Sequence, residues 1–303
     1  MSQSVHILTF DIEDWFHVLE HRDTASEGDW CRFESRVERN TDRILECLDE
    51  ANVRATFFCL GWIARTHPQV VKAISAAGHE IGSHSDRHLL VNQMTQRQFM
   101  DDLRTSIASL EDLTGHQVRA FRSPGFSISR QSIWAFSVLA ENGVEWDSSV
   151  FASSHSHSRE PALDITGPVT LEWRGMRLKQ FPVVPGCVLG RRISFSGGGY
   201  FRLLPYGLIR HLMSKSDYAM TYFHPRDFDP DQPLIPNLPL HRVFRSYVGL
   251  KSALAKFRAL LGHFHFIDIS EANKLLDWDA LPKLQLDGTS LSIPNGRKIC
   301  LPA

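Results

Sequence analysis

Five residues or residue groups able to do chemistry each follow a short apolar run: Asp11/Glu13/Asp14, His84/His88, Arg122, Asp147 and His224. Carboxylates, a histidine pair and a lone late histidine are the toolkit of a metal-dependent hydrolase. Histidines four apart share one face of a helical turn, so both imidazoles of His84-Ser85-Asp86-Arg87-His88 can reach one ion. Two imidazoles and one carboxylate leave a tetrahedral Zn²⁺ with an open position for water. The acids of Asp11-Ile12-Glu13-Asp14 are costly beside an apolar run unless they meet a cation or a base. Arg122 is placed to hold a catalytic carboxylate in position. His224 ends an otherwise apolar strand. A lone histidine there is more often structural, but a nearby carboxylate such as Asp147 would make it a proton donor.

One rim must collect these groups, and repeated strand–helix units supply one. Strands are expected over Val5–Phe10, Ala55–Leu60, His79–Ser83, Val118–Phe121, Val144–Trp146, Ala219–Phe223 and Phe264–Ile269. Between them the periodicity predicts helices around Glu34–Asn52, from Pro68 to Gly78, from a Thr95 cap to Gly115, and from Ser129 to Gly143. Val169–Trp173 and Met176–Phe181 read as a hairpin turning at Arg174-Gly175. Pro205 opens a helix, Tyr247–Leu261 is another, and Ser270 caps a last one. This alternation predicts an α/β protein with a mostly parallel sheet. With no Gly/Ser- or Pro-rich linker, residues 1–303 read as one domain with a core over about 5–276 and a tail over 277–303 packing outside. Ser196-Gly197-Gly198-Gly199-Tyr200-Phe201-Arg202 lacks the ending of a phosphate loop. It reads as a close-approach loop, with Tyr200 and Phe201 lining a sugar surface. His155 and His157 read as solvated, in a polar loop that can border the pocket.

The 303 residues, 43% hydrophobic and 22% charged, suffice for a large core. A net charge of −1 argues against nucleic acid as a partner. No apolar run is long enough to span a bilayer, and no leader peptide is visible. Cys31, Cys47, Cys59, Cys187 and Cys300 are odd in number and scattered, which fits reduced thiols in a cytoplasm.

On these motifs the chain resembles the polysaccharide deacetylases, carbohydrate esterase family four with its NodB-homology domain. Thr9-Phe10-Asp11 with Asp14 is similar to that family's first motif, and His84-Ser85-Asp86-Arg87-His88 to its His-Ser/Thr-x-x-His metal motif. Arg122-Ser123-Pro124 resembles the Arg-x-Pro motif, Asp147 the fourth and Phe223-His224 the last, in order from about Val5 to His224. Phe10–Phe16, Ser196–Pro205 and Phe223–Pro230 resemble a branch found with exopolysaccharide and surface-glycan synthesis genes. The resemblance implies a distorted (β/α) barrel with about seven strands and a divalent metal, usually zinc; the donor set also accepts Co²⁺, Ni²⁺, Mn²⁺ or Fe²⁺. It implies His84 and His88 as ligands, Asp11 as general base oriented by Arg122, and His224 as general acid tuned by Asp147. Ile12-Glu13 interrupts the family's adjacent aspartates. Asp14 matches the family's residue type and is preferred as third ligand, with Glu13 its rival because residues two apart on a strand share a face.

The implied reaction is hydrolysis of an N-acetyl group on an amino sugar of a glycan, a lipid-linked intermediate or a nucleotide sugar. A cyclic-amide or imide hydrolase and an O-acyl sugar esterase are the rival enzymes on this fold. A non-catalytic glycan-binding protein is the rival of another class.

Overall fold

Val5–Ile7 (β1), Thr9–Ile12 (β2) and Thr56–Cys59 (β3) are buried at every position, as strands covered on both faces must be. The computed structural model describes residues 4–152, 163, 165–188, 190–287 and 290–292. The strands that follow are Glu80–Ser83 (β4), Ala120–Phe121 (β5), Trp146–Asp147 (β6), Val169–Trp173 (β7), Met176–Gln180 (β8), Gly186–Val188 (β9), Arg191–Ile193 (β10) and Tyr218–Met220 (β11). Seven parallel segments form an arc in the order β11, β1/β2, β3, β4, β5, β6, β8. The line of β11 continues past its end, with Phe223 bridged to Phe10 of β2. At the arc's open side the Tyr218 hydroxyl donates to the Pro182 carbonyl, just beyond β8, at 2.9 Å. The architecture is the expected distorted (β/α) barrel.

Stacked and edge-on phenylalanines fill the space between the strands and their covering helices. Phe10 stacks on Phe57 at 4.8 Å and meets Phe257 edge-on at 5.8 Å, while Phe223 meets Phe201 at 4.8 Å. Each such ring removes about 150–250 Å² from water, and this cluster lies directly beneath Asp11 and His224.

Several expected helices are present with their punctuation. Thr95 closes a capping box with Gln98 at the head of Gln96–Thr114, which ends on left-handed Gly115. Other segments differ. Gly61–Thr66 is a six-residue helix too short to show a periodic stripe. Gly198–Leu203 is also a helix, where a loop was expected; Phe201 is fully buried in it, so only the partly exposed Tyr200 can face a ligand. Phe264–Ile269 contributes a single bridge, Ile267 to Ile7, before the last helix begins at Ile269. Asp268, not Ser270, caps that helix, accepting from the Glu271 N–H at 2.7 Å. Part of the segment expected as an outer tail is a strand: Lys283–Leu286 (β12) pairs parallel with β7, burying Leu284 and Leu286, and Leu291–Ser292 (β13) pairs with it. His155, His157 and residues 293–303 lie outside the described residues.

Candidate active site

At the exits of β2, β4 and β5 the apolar runs give way to polar residues that turn toward one another. Asp11 is the last residue but one of its strand, with its N–H bonded to the Phe223 carbonyl at 2.8 Å. Its Oδ1 accepts from Arg122 Nη1 at 2.8 Å. Arg122 is completely buried, and its guanidinium is saturated: Thr9 Oγ1 at 2.7 Å, Ser148 Oγ at 2.9 Å, Met220 Sδ at 3.2 Å and the Ser148 carbonyl at 3.3 Å complete the set, with the group 4.3 Å over the Phe58 ring. The Arg122 carbonyl accepts from His84 Nδ1 at 2.8 Å. That bond fixes the tautomer and leaves His84 Nε2 with a free lone pair.

The histidine pair does not ride on a helical turn. Ser85 and His88 both have left-handed backbone, φ +71° and +55°, in an irregular loop. Its anchors are numerous. Asp102 accepts from the Asp86 and Arg87 N–H groups at 2.8 and 3.2 Å. Gly61 and Trp62, opening the short helix, donate to the Ser85 and Asp86 carbonyls at 3.0 and 3.1 Å. Gly61 is required here, because a Cβ would sit 2.2 Å from Asp86 Oδ1. Asp86 also pairs with Arg65. Strained backbone held this firmly over-determines where the imidazoles point.

The third member of the cluster is Glu13, not Asp14. Glu13, His84 and His88 each offer one ligand atom, all within 4.8 Å of one another. Asp14 points the other way, over the N-terminus of helix Val37–Ala51. Its carboxylate accepts from Ser35 Oγ at 2.5 Å, from the Arg36 N–H at 3.0 Å and from the Val37 N–H at 3.3 Å. β2 ends at Ile12, and the Glu13 N–H turns back to the Asp11 carbonyl at 3.1 Å, so Glu13 joins Asp11 on the pocket side while Asp14 is carried to the opposite side. Glu13 Oε2 is buried 2.5 Å from His88 Nε2 yet has no hydrogen-bond partner. A cation among the three would satisfy it, so the residues present fit a divalent ion. Burial opposes ionisation of Glu13, but the charge and contact of His88, then His224 and His84, hold its carboxyl well below the usual range. Burial pulls His84 down to about 4, a neutral imidazole suited to a ligand.

His224 faces Glu13 and Asp11, its Nε2 3.4 Å from Glu13 Oε1 and 3.8 Å from Asp11 Oδ2. Its other nitrogen meets Asp227 rather than Asp147: Nδ1 lies 3.1 Å from Asp227 Oδ2, which also accepts the His224 N–H at 2.9 Å. Burial lowers the His224 pKa, but the Asp227 bond and the charges of Glu13, Asp227 and Asp11 outweigh it and raise it to about 9. Asp227 is itself held by buried Arg202, 3.0 Å away. Asp147, expected to tune His224, instead accepts from Ser149 Oγ and N–H at 2.5 and 2.9 Å. It shapes the turn whose Ser148 holds Arg122. Asp227 and Arg202 escaped the sequence reading. The available signal was His224-Pro225-x-Asp227, in which Pro opens a turn and an acid three residues on reaches back to the cap.

Comparison with known proteins bears on what this cluster belongs to. Residues 2–144 match the family described as Polysaccharide deacetylase. Residues 2–144 are thus a polysaccharide deacetylase domain. Residues 148–274 match a second family, described as Domain of unknown function (DUF3473). A peptidoglycan-N-acetylglucosamine deacetylase of Bacillus cereus is 33% identical over 96 residues, 31% of this chain and 35% of that protein. A peptidoglycan-N-acetylmuramic acid deacetylase, PdaA, of Bacillus subtilis is 32% identical over 84 residues, 28% of this chain and 32% of that protein. The chain thus matches about a third of the length of these two relatives. The crystal structure of a Mycobacterium smegmatis protein assigned to the polysaccharide deacetylases superposes with a TM-score of 0.62 at 19% identity, covering 93% of each chain, which shows the shared fold.

Proposed function

We propose that this polysaccharide deacetylase family member is a metal-dependent hydrolase that removes an N-acetyl group from an amino sugar of a bacterial polysaccharide or surface-glycan precursor. The observation that carries the reading is the convergence of Glu13, His84 and His88 with Asp11 on one side and His224 facing both carboxylates. Glu13, His84 and His88 would hold the ion, zinc being the best match to two imidazoles and a carboxylate. When bound, such an ion lowers the pKa of water and polarises an acyl carbonyl.

The remaining work falls to the chain's own side chains. Asp11, fixed by Arg122, takes the proton of the attacking water. His224, protonated at neutral pH with its pKa near 9, gives its proton to the departing amine nitrogen. Asp227 and Arg202 keep its ring in register for that transfer. Acetate and a free amino sugar leave. A cytoplasmic setting belongs to the same reading, supported by Cys31, Cys47, Cys59 and Cys187 being unpaired.

The test is acetate release from N-acetylated oligosaccharides by the metal-loaded protein, alongside O-acetyl sugars and cyclic imides. Acetate with a stoichiometric free amine is the expected result. Release from O-acetyl sugars alone, or imide opening without deacetylation, would replace the reaction. Full turnover by a His224→Ala variant would remove that residue from the mechanism.

A further inference from the structure

Helix Leu240–Tyr247 lies on the protein without one fully buried residue. Its exposure alternates in pairs: Leu240, His241, Phe244 and Arg245 face outward, while Arg242, Val243, Ser246 and Tyr247 are half-buried. At 3.6 residues per turn the four outward positions make one continuous face, apolar along Leu240 and Phe244 and polar along His241 and Arg245. Leu240 and Phe244 are 87% and 57% exposed. More apolar surface is fastened beside them. The Tyr247 hydroxyl donates to the Pro233 carbonyl at 2.8 Å and accepts from the Ile235 N–H at 2.9 Å, which holds Leu234, 69% exposed, next to the helix. Buried Arg202 donates to the Arg245, Ser246 and Val248 carbonyls at 2.9, 2.7 and 3.1 Å. It ties helix Gly198–Leu203, with exposed Tyr200 and Leu203, to the same helix end. Five of the seven large hydrophobic side chains exposed among the described residues thus belong to these joined segments. Scattered singly they would need no explanation; gathered, they mark an interaction surface.

The charge of this segment is one-sided. Residues 232–267 contain five Lys/Arg and no Asp or Glu, in a chain of net charge −1. Carboxylates from elsewhere do touch it: Glu50 pairs with Arg258, and Asp23, bonded to Asn237, pairs with Arg22. Lys251, exposed at the start of helix Leu250–His263, has no carboxylate within ion-pair distance among the described residues. We propose that this face is an interfacial docking surface for an anionic lipid bilayer, in which Leu234, Leu240 and Phe244 enter the boundary of headgroups and acyl chains while the basic side chains meet lipid phosphates. Side chains that protrude this far need no matching cavity in a bilayer, whereas a protein partner would have to supply one. A second copy seated on the same face would set the basic flank against itself. The residues that fasten the surface also reach the site. Arg202 holds Asp227 behind His224, and Arg242 donates to the Leu19 and Glu20 carbonyls in the loop that lines a pocket with His88. The docking stands on the surface alone and goes beyond the deacetylase reading, so its test needs no turnover.

That test is flotation of the whole chain with vesicles, either phosphatidylcholine alone or an equal mixture with phosphatidylglycerol. Wild type is expected to bind the mixed vesicles at least tenfold more tightly than the neutral ones, and added salt should weaken that preference. Leu240→Ser/Phe244→Ser should lower binding to the mixed vesicles at least tenfold with an unchanged melting curve, since both side chains are exposed. Lys251→Glu should lower binding to the mixed vesicles at least threefold and leave neutral vesicles unaffected. In a Phe244→Trp variant the added fluorescence should shift to shorter wavelength on mixed vesicles and be quenched by brominated acyl chains. No vesicle binding by wild type, equal binding by the double variant, or no quenching at position 244 overturns the proposal. A wild-type dimer in sedimentation velocity that the double variant abolishes, with no vesicle binding, assigns the face to a second copy instead.

Discussion

Arg122 serves His84 and Asp11 through different atoms of one residue: its carbonyl accepts the His84 Nδ1–H at 2.8 Å, and its guanidinium donates to Asp11 Oδ1 at the same distance. The proposed base and the proposed ligand are therefore both held by a single buried residue just past β5. Arg122→Lys keeps a charge but loses the fork that reaches Thr9, Asp11 and Ser148 together. It is expected to retain metal and lower kcat by about 100-fold or more, consistent with a displaced general base. Arg122→Met leaves Asp11 buried without its partner and should cost about 3–5 kcal/mol in denaturant unfolding. A lysine variant with wild-type kcat would contradict this dual role.

Glu13 and Asp14 offer a direct contrast between adjacent carboxylates. Glu13→Gln should abolish or strongly weaken zinc binding, measured by metal content after dialysis, with the fold retained. Asp14→Asn should keep its metal but lose about 1–2 kcal/mol, because it weakens the cap on helix Val37–Ala51. The reverse pattern would return the ligand role to Asp14. Chelation of the wild type should mimic Glu13→Gln in activity and be reversed by added zinc.

Asp227→Asn keeps the size of the side chain and removes the charge that His224 Nδ1 and Arg202 both face. The expected result is metal content equal to wild type and kcat lowered about 10- to 1000-fold. A loss confined to KM would make Asp227 a substrate contact rather than the group that positions the acid.

Glu80 provides a pH-dependent contribution remote from the metal cluster. Burial raises its carboxyl to about 7, against the lowering contact of Thr56 Oγ1, which donates at 2.5 Å. The folded protein thus holds a proton that the unfolded chain releases near the ordinary value of 4.5. Between those two values the native state binds more protons, so this group's contribution falls as pH rises from about 4.5 to about 7, then levels off. Glu80→Gln cannot ionise and still accepts from Thr56. Its melting temperature should gain on the wild type between pH 5 and pH 8, by an amount equivalent to roughly 1–3 kcal/mol. An unchanged difference across that range would show that Glu80 is ionised throughout.

Much of the fold was written locally. The short strand-like runs at Val5–Ile7, Thr56–Cys59 and Glu80–Ser83 and the capped periodic stripe after Thr95 are properties of short windows, and they appear as strands and a helix near the expected bounds. Less regular pieces were hidden. Gly61–Thr66 and Gly198–Leu203 are too short to carry a period, and Lys283–Leu286 becomes a strand because β7 offers it an open edge.

The same division runs through the site. That Asp11, His84, His88, Arg122 and His224 meet follows from chain order, since each ends or directly follows an apolar strand run and parallel strands bring such ends to one rim. Which carboxylates meet which histidines does not follow from order. Glu13 faces His88 from just past the strand's end, where its N–H turns back to the Asp11 carbonyl, while Asp14 is claimed by the free N–H groups of Arg36 and Val37, 22 and 23 residues away. Asp227 reaches His224 because Pro225 turns the chain back on itself, and Asp147 stays with Ser149. Local patterning sets where a strand ends; the donors and acceptors that distant segments bring to that point decide which way each polar side chain turns.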